Sequence, residues 1–172
     1  MTVPLTATAK GLQFEALYRA ARDDVYAYVA TLLRDRAAAE DVTALAFERA
    51  FRKRGGYDAR RGTERAWLFG IARNAALDEL RKRKRRATLE AEPADLTAPA
   101  PEDVAEQAMR RAAVRAALGT LPAREREAIA LKYHAGLDNA ELASVLGVSV
   151  SNAGTLLHRA MTKLREAVDA RA

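Results

Sequence analysis

Cysteine is absent from the 172-residue chain, and glycine (9 residues), proline (5 residues) and aromatic residues (6%) are scarce. The absence of cysteine excludes disulfides and thiolate metal sites, and it is compatible with a reducing compartment. There is no run of about 18 apolar residues and no basic start followed by an apolar stretch, so we expect no membrane span, no signal peptide and a cytoplasmic location. Few aromatic residues and many alanines favour helices over sheets. We therefore predict an all-α fold.

Charge is distributed unevenly along the chain. The net charge is +6 and the pI is about 9.9, which suits a polyanionic partner. Residues 1–86 carry 19 basic and 11 acidic side chains, residues 87–106 carry 6 acidic and no basic ones, and residues 107–172 carry 10 basic and 6 acidic ones. Three prolines also fall within the acidic strip. We predict two small helical modules, 12–86 and 107–170, joined by a flexible acidic linker at 87–106.

Apolar residues recur at three- and four-residue steps in both modules, which indicates amphipathic helices. In the first module one such helix runs from Phe14 to Leu32, and a second ends at the paired glycines Gly55 and Gly56. A third begins after Thr63, which we predict to be its N-cap. Most of these apolar side chains are expected to form a small helical core.

The second module ends in the pattern of a helix-turn-helix. Residues 138–141 have a capping-box sequence, Gly147 is expected to end that helix, and Ser149 to cap the next one. In this motif the second helix lies in the major groove with its first turns facing the base edges. An ordinary helical hairpin is the alternative. The candidates for DNA contact are Ser149, Ser151, Asn152, Thr155, His158, Arg159 and Lys163.

Six consecutive basic residues, 81–86, stand at the end of the third predicted helix. One interpretation is a solvated helix end, where cations also complement the helix dipole. The same helix offers Trp67 and Asn74, an aromatic ring and a carboxamide that suit unstacked bases. We therefore favour contact between this basic run and nucleic-acid phosphates.

No catalytic constellation is evident in the sequence. His134 and His158 lie in different predicted helices without metal-ligand spacing, and no phosphate-binding glycine loop occurs. The adjacent acidic pairs at 23–24 and 40–41 point in different directions on a helix, so we interpret them as surface charge. We expect a protein that is not an enzyme and that has no metal site and no cofactor.

Residues 66–82, AWLFGIARNAALDELRK, resemble the signature of region 2 of bacterial RNA polymerase sigma factors, and residues 39–51 resemble the segment before it. Residues 121–127, 146–149 and 157–165 resemble region 4. The order of these regions, with a linker between them, is similar to that of the small extracytoplasmic-function sigma factors. The resemblance covers nearly the whole chain. It implies a transcription initiation factor that binds core RNA polymerase, melts and reads the −10 promoter element, and reads the −35 element.

The resemblance also implies partners and residue roles. The partners would be the β and β′ subunits of core RNA polymerase, promoter DNA and an anti-sigma factor, with Asn74 helping to capture a flipped base. The residues implied in core-polymerase binding are Asp41, Val42, Leu45, Glu48 and Phe51. The residues implied at the −10 element are Arg60, Arg61, Arg65, Trp67, Arg73, Asn74, Asp78, Arg81, Lys82 and Arg83. The helix that follows Ser149 would read the −35 element.

Two departures from the family pattern leave other interpretations open. Ala44 and Leu45 stand where the family often has Gln-Glu, and residues 154–156, Gly-Thr-Leu, stand where it commonly has Lys-Ser-Arg. Fewer positive charges would weaken DNA binding at every sequence. A sigma-like decoy that sequesters an anti-sigma factor without binding promoter DNA is one alternative, and a stand-alone helix-turn-helix repressor is another. Because each module has a small core, we also expect the free protein to be mobile between modules.

Overall fold

The computed structural model describes residues 12–87 and 105–171. Within these ranges the chain forms seven α-helices and no strand, which confirms the predicted all-α fold. Two short 3₁₀ turns, Arg54–Gly56 and Ala59–Arg61, connect the second and third helices. The helices are α1 (Phe14–Leu33), α2 (Arg36–Lys53), α3 (Glu64–Ala87), α4 (Ala105–Thr120), α5 (Ala123–Tyr133), α6 (Asn139–Leu146) and α7 (Val150–Asp169).

Helices α1, α2 and α3 form the N-terminal helical group, in which each helix packs against the other two. α1 is followed by its C-cap residue Arg34, which adopts a left-handed conformation with a φ of 53°. The side chain of Asp35 then accepts a hydrogen bond from the N–H of Ala38 at 3.1 Å and begins α2. Thr63, the predicted cap of α3, accepts a hydrogen bond from the N–H of Ala66 at 3.1 Å. The predicted end of α2 near the paired glycines is also confirmed, because the first 3₁₀ turn contains both.

Helices α4 to α7 form the C-terminal helical group, in which α7 packs against the other three. The predicted capping box of α6 is confirmed: Asp138 accepts from the N–H of Glu141 at 2.8 Å, and Glu141 accepts from the N–H of Asp138 at 3.0 Å. Gly147 ends α6 with a φ of 68°, and Ser149 accepts from the N–H of Asn152 at 3.1 Å to begin α7. The chain bends by 97° between α6 and α7, which is the geometry of a helix-turn-helix.

The two helical groups share one hydrophobic core. α1 packs on α5 and α3 packs on α6. Tyr28 and Phe69 of the N-terminal group are fully buried, with ring centroids 5.5 Å apart, in the same cluster as Ala128, Leu131 and Leu142 of the C-terminal group. The mobility expected between the two modules of the free protein stays a prediction. Each group covers apolar surface that the other would expose if it stood alone, so burial favours their association.

The predicted acidic linker lies mainly outside the described residues, since 88–104 are not described. Its ends differ from the prediction. Ala87 is the last residue of α3, and Ala105 and Glu106 are the first two residues of α4. Alanine and glutamate are strong helix formers, so the helices extend past the positions where the charge pattern changes.

Replacing Asp138 by alanine is expected to lower the free energy of unfolding by about 1 kcal/mol, because the N–H of Glu141 loses its side-chain acceptor. The same charge change at Asp23, whose side chain is 92% exposed within α1, is expected to alter stability by less than about 0.5 kcal/mol. Urea unfolding followed by circular dichroism measures both changes. Equal losses in the two variants would contradict the capping role.

Candidate nucleic-acid interface

One face of α3 carries the central residues predicted to contact the −10 element. Trp67, Asn74, Asp78 and Arg81 follow one another at steps of seven, four and three residues, which places them along one stripe of the helix. Trp67 is half-buried with its ring centroid 5.6 Å from that of Tyr57, whereas Asn74 is exposed. An aromatic ring and an exposed carboxamide on one stripe can stack on, and hydrogen-bond to, unstacked bases.

Exposed cations border this stripe. The guanidinium of Arg60 pairs with Asp58 at 3.1 Å, and its hydrogen bonds lower the pKa of that carboxyl group. Ion pairs on an exposed surface are weak, so such a guanidinium can exchange a carboxylate for a phosphate at little cost. The exposed cations of the predicted −10 surface are Arg60, Arg61, Arg81 and Lys82.

Arg83 does not extend this surface. Its guanidinium donates to the backbone carbonyl of Leu33 at 2.8 Å and pairs with Asp35 at 3.2 Å and with Glu79 at 3.5 Å. Only 24% of its side chain is exposed. Arg83 therefore joins the end of α3 to the junction between α1 and α2. Its role in DNA contact stays a prediction.

Arg73 faces the C-terminal helical group rather than solvent. Its Nε donates to the Glu127 carboxylate on α5 at 2.5 Å, and the two side chains are 24% and 7% exposed. The hydroxyl of Tyr28 donates to the same carboxylate at 3.0 Å. Burial, followed by the charge of Glu127 and this hydrogen bond, raises the pKa of Tyr28 well above its ordinary value. The phenol therefore stays protonated and acts as a hydrogen-bond donor.

Arg65 is also engaged between the two groups. Its guanidinium pairs with Asp24 on α1 and donates to the backbone carbonyls of His134 and Ala135 at the end of α5. Burial lowers the pKa of His134, and the charge of Asp24 opposes part of this effect. In this conformation the cationic groups of Arg65 and Arg73 are held by protein oxygens, so neither is presented to DNA.

The predicted polymerase-binding residues of α2 divide between its surface and the core. Asp41, Glu48 and Phe51 are exposed. Val42 is only 4% exposed within the hydrophobic core, and Leu45 packs against that core. Helical periodicity turns positions 42 and 45 towards the core. The role of Val42 and Leu45 in polymerase binding stays a prediction.

An aromatic cluster adjoins the end of α2. The ring centroid of Phe14 lies 5.2 Å from that of Phe51 and 6.4 Å from that of Phe47, and Tyr18 stands 4.8 Å from Phe47. The guanidinium of Arg54 lies 3.8 Å from the ring centroid of Phe51. Tyr18 and Phe51 remain 39% and 48% exposed, which gives the predicted polymerase-binding face an aromatic border that sequence reasoning did not include.

The first two turns of α7 expose hydroxyl and amide groups but no charged side chain. The hydroxyl of Thr155 donates to the backbone carbonyl of Ser151 at 3.1 Å, and the carboxamide of Asn152 is exposed beside them. Leu156 packs against the shared core, so the residue that replaces a common arginine of the family points inward. Sequence-specific contact by this part of α7 would therefore depend on neutral polar groups.

The later part of α7 supplies positive charge. His158 and Arg159 are exposed. Lys163 instead pairs with Glu125 at 2.8 Å, and this contact ties α7 to the start of α5. Lys163 is thus exposed but already paired within the C-terminal group, whereas Arg159 is the other exposed cation predicted for the −35 element.

Sequence reasoning missed the residues that join the two helical groups, namely Tyr28, Glu127 and Glu141. The sequence offered one signal for Glu127, namely its position directly before the apolar run 128–131, and the structure buries it almost completely. A carboxylate at such a position is costly unless it is paired, which predicts a cationic partner without naming it. The hydroxyl of Thr63 donates to Glu141 at 2.5 Å, and no pattern in the sequence links these two positions.

Comparison with known proteins decides the family. Residues 17–86 match the family model of sigma-70 region 2, and residues 111–164 match that of sigma-70 region 4. The ECF RNA polymerase sigma factor SigK of Mycobacterium ulcerans is 31% identical over 150 residues, covering 85% of this chain and 80% of that protein. The chain belongs to the extracytoplasmic-function (ECF) sigma factors. The ECF sigma factor SigM of Bacillus subtilis is 28% identical over 155 residues, covering 90% of this chain and 94% of that one.

A solved sigma factor shares the fold. In the co-crystal structure of the sigma factor RpoE with the anti-sigma factor NepR from Bartonella quintana, one chain superposes with a TM-score of 0.75. The sequence identity is 23%, and the match covers 91% of this sigma factor and 96% of that chain. The arrangement of helices is therefore one that a known protein adopts.

Two further properties concern the part of this sigma factor that the structure describes. No group of three or more histidine, aspartate or glutamate residues there could hold a metal ion. By length and hydropathy none of its single helices could cross a membrane, although the bent pair α6 and α7 passes that criterion jointly.

We predict that His134 makes the stability of this sigma factor depend on pH. Because burial lowers its pKa in the folded state, the unfolded chain binds a proton more readily, and stability falls as pH drops below the unfolded value of about 6.5. In His134→Gln the loss between pH 7.5 and pH 5.5 is expected to be smaller, as measured by urea unfolding. His158→Gln, at an exposed position, is expected to keep the wild-type loss. The same pH dependence in both variants would refute the role of His134.

Proposed function

We propose that this sigma factor binds core RNA polymerase through the exposed face of α2, melts and reads the −10 element with α3, and reads the −35 element with α7. The observation that carries the proposal is that one chain contains two different surfaces suited to DNA. One is the stripe of aromatic, carboxamide and basic side chains on α3, and the other is the helix-turn-helix of α6 and α7 with its exposed polar groups. The first arrangement suits single-stranded DNA and the second suits the major groove of a duplex.

Reading of the −10 element is proposed to use Trp67 and Asn74. Promoter melting exposes unpaired bases, and an aromatic ring at the strand junction can stack on the last paired base. The exposed amide of Asn74 can then hydrogen-bond the edge of an extruded base, which is no longer paired with its complement. Arg60, Arg61 and the exposed basic residues at the end of α3 would hold the phosphates around it.

Polymerase binding is proposed to use the outer face of α2. Asp41, Ala44, Glu48 and Phe51 are exposed at three- and four-residue steps, so they form one continuous stripe. Phe51 brings the aromatic cluster to one end of the stripe, while two carboxylates supply negative charge along it. An apolar anchor beside acidic groups suits a partner surface that offers apolar and basic side chains.

The proposal also includes an anti-sigma factor as a partner, a cytoplasmic location and no enzymatic activity. The solved sigma factor from Bartonella quintana was crystallised with an anti-sigma factor, which motivates the partner. The location follows from the proposed binding to RNA polymerase. Transcription initiation by a sigma factor requires recognition of DNA and polymerase, and the chemistry of RNA synthesis belongs to the polymerase.

A sigma-like decoy is the second candidate. Two observations favour it: Arg65 and Arg73 are held by protein oxygens, and the first two turns of α7 carry no cation. A decoy would bind an anti-sigma factor and leave promoter DNA unbound. The two candidates differ in whether purified core polymerase gains promoter-specific transcription when the protein is added.

Run-off transcription on genomic promoter fragments tests the proposal directly. We expect discrete transcripts that require both core polymerase and this protein, and we expect Asn74→Ala to reduce them about tenfold or more, because one base contact is lost. Gln107→Ala, which removes an exposed carboxamide on α4, is the matched control and is expected to retain activity. Core binding without transcripts from any fragment would favour the decoy.

Base selection at the −35 element is expected to depend on Asn152, because an asparagine carboxamide pairs with N6 and N7 of adenine in the major groove. Asn152→Ala is expected to lose about 1–3 kcal/mol of discrimination at one A·T pair. Arg159→Ala is expected to weaken binding at all sequences and to reduce the salt slope by about 1. Sequencing of promoters selected by holoenzyme from a library with a randomised −35 element measures the base preference. Binding of holoenzyme to one promoter at several salt concentrations measures the salt slope. Unchanged base preference in Asn152→Ala would contradict this assignment.

A further inference from the structure

A cavity of about 340 Å³ lies where α3 meets the start of α5. Leu32, Leu77 and Leu80 form its apolar wall, and the last two are only half-buried. Ala123 and Arg124 line the cavity on the side of α5 and are exposed, so the cavity opens to solvent there. A cavity of this volume with an apolar wall and a few polar groups is typical of a site for a small organic molecule.

The polar side of the cavity carries an excess of positive charge. Arg73 and Glu127 both line the cavity and pair with each other, so their charges offset one another. Arg124 and Arg126 line it as well, and among the described residues neither has a carboxylate partner. The cavity therefore combines an apolar wall with uncompensated positive charge, which suits a ligand that has an apolar part and an anionic part.

Arg126 is the more enclosed of these two cations. It is half-buried, and its guanidinium donates to the neutral backbone carbonyls of Leu118 and Leu121 at 3.0 and 2.9 Å. Burial lowers the pKa of Arg126, and the charge of Arg34 lowers it further. A guanidinium that is partly desolvated and lies near a second cation is less stable than one in water, and a bound anion would offset both effects.

Arg34 occupies a position that suits glycine better than arginine. Its φ of 53° lies in the left-handed region, which is unfavourable for a residue with a Cβ atom. Its guanidinium lies against Gly119 of α4, where a Cβ atom would stand only 2.5 Å from Nη2. Arg34 is half-buried, and no carboxylate in the part of the chain that the structure describes pairs with it. The backbone of α1 and a glycine of α4 thus both accommodate an unpaired cation near Arg126.

We propose that the cavity between α3 and α5 binds a small phosphate monoester, with its phosphate held by Arg124 and Arg126 and its apolar body packed on the three leucines. A doubly charged group is favoured because Arg34 adds a third guanidinium nearby, and guanidinium donors match the oxygens of a phosphate. The body is apolar because the leucine wall offers no partner for further polar groups. This inference does not rest on the proposed function, and its tests need neither polymerase nor promoter DNA.

Isothermal titration calorimetry with naphthyl phosphate tests the binding. We expect one site per chain, and we expect inorganic phosphate and naphthol to bind at least about tenfold more weakly, because each makes only part of the contacts. Naphthaleneacetate, which carries a single negative charge, is also expected to bind more weakly than the phosphate ester. Absence of naphthyl phosphate binding, or equal affinity for inorganic phosphate, would overturn the proposal.

Methyl NMR spectroscopy locates the bound molecule. The ring current of the naphthyl group is expected to shift the methyl resonances of Leu32, Leu77 and Leu80. Leu164 packs in a separate apolar cluster of the C-terminal helical group and serves as the internal control, with no shift expected. Shifts that leave the three cavity leucines unchanged would place the ligand elsewhere and overturn the assignment.

Two substitutions change the cavity at exposed positions. Arg124→Gln is expected to lower the affinity for naphthyl phosphate about tenfold, because one hydrogen bond between charged groups is lost. Arg115→Gln, at an exposed arginine of α4 outside the cavity, is the matched control and is expected to bind as wild type does. Ala123→Trp is expected to fill the cavity and to abolish binding with helix content retained. Wild-type affinity in both Arg124→Gln and Ala123→Trp would overturn the proposal.

Arg34→Gly separates the needs of the ligand from those of the fold. Glycine adopts the left-handed conformation freely, so the variant is expected to fold and to keep or raise the thermal midpoint measured by circular dichroism. Its affinity for naphthyl phosphate is expected to fall about threefold, because a positive charge near the phosphate is removed. Unchanged affinity in the folded variant would overturn the placement of the phosphate near Arg34.

Discussion

The buried ion pair between Arg73 and Glu127 is the constraint on which the arrangement of the two helical groups depends. A carboxylate that is 7% exposed is costly to bury unless it is paired and hydrogen-bonded, and here a guanidinium and the hydroxyl of Tyr28 fulfil both conditions. Each member of the trio sits on a different helix, namely α1, α3 or α5. Separation of the groups would hydrate the two charges and the phenol, so this contact depends on the packing that keeps water away from it.

The apolar packing around this trio determines which helix faces are buried between the two groups and which remain exposed. α1 and α3 meet α5 and α6 through fully buried side chains, and the outer faces of α2 and α7 remain free for other molecules. A helix-turn-helix needs a rigid support to hold its second helix, and α7 obtains it from α4, α5 and α6. The fold therefore fixes each proposed binding helix within its own group, while the relation between the groups depends on their shared apolar core and on the buried ion pair.

Periodicity and capping chemistry predicted most of the local structure. The caps at Thr63, Asp138 and Ser149 act at the positions predicted, because an N-cap is decided by a side chain and an amide three residues away. The resemblance did not predict that Val42 is buried and that Leu45 packs against the core, because a motif identifies a segment of the chain but not the face on which each residue lies. The ion pairs of Arg83 were also not predicted, since a run of cations gives the total charge of a segment but not which member pairs with a carboxylate.

The sequence by itself determined the helices, their ends, the order of two modules and the family, since these follow from contacts within a few residues and from motifs read along the chain. Only the tertiary structure decided that Arg73 pairs with Glu127, which lies 54 residues further along the chain. It also decided that Thr63 donates a hydrogen bond to Glu141, 78 residues away. Such pairings depend on how α1 and α3 pack against α5 and α6 in three dimensions. Periodicity identifies which face of a helix is apolar, but it does not identify the helix that covers that face.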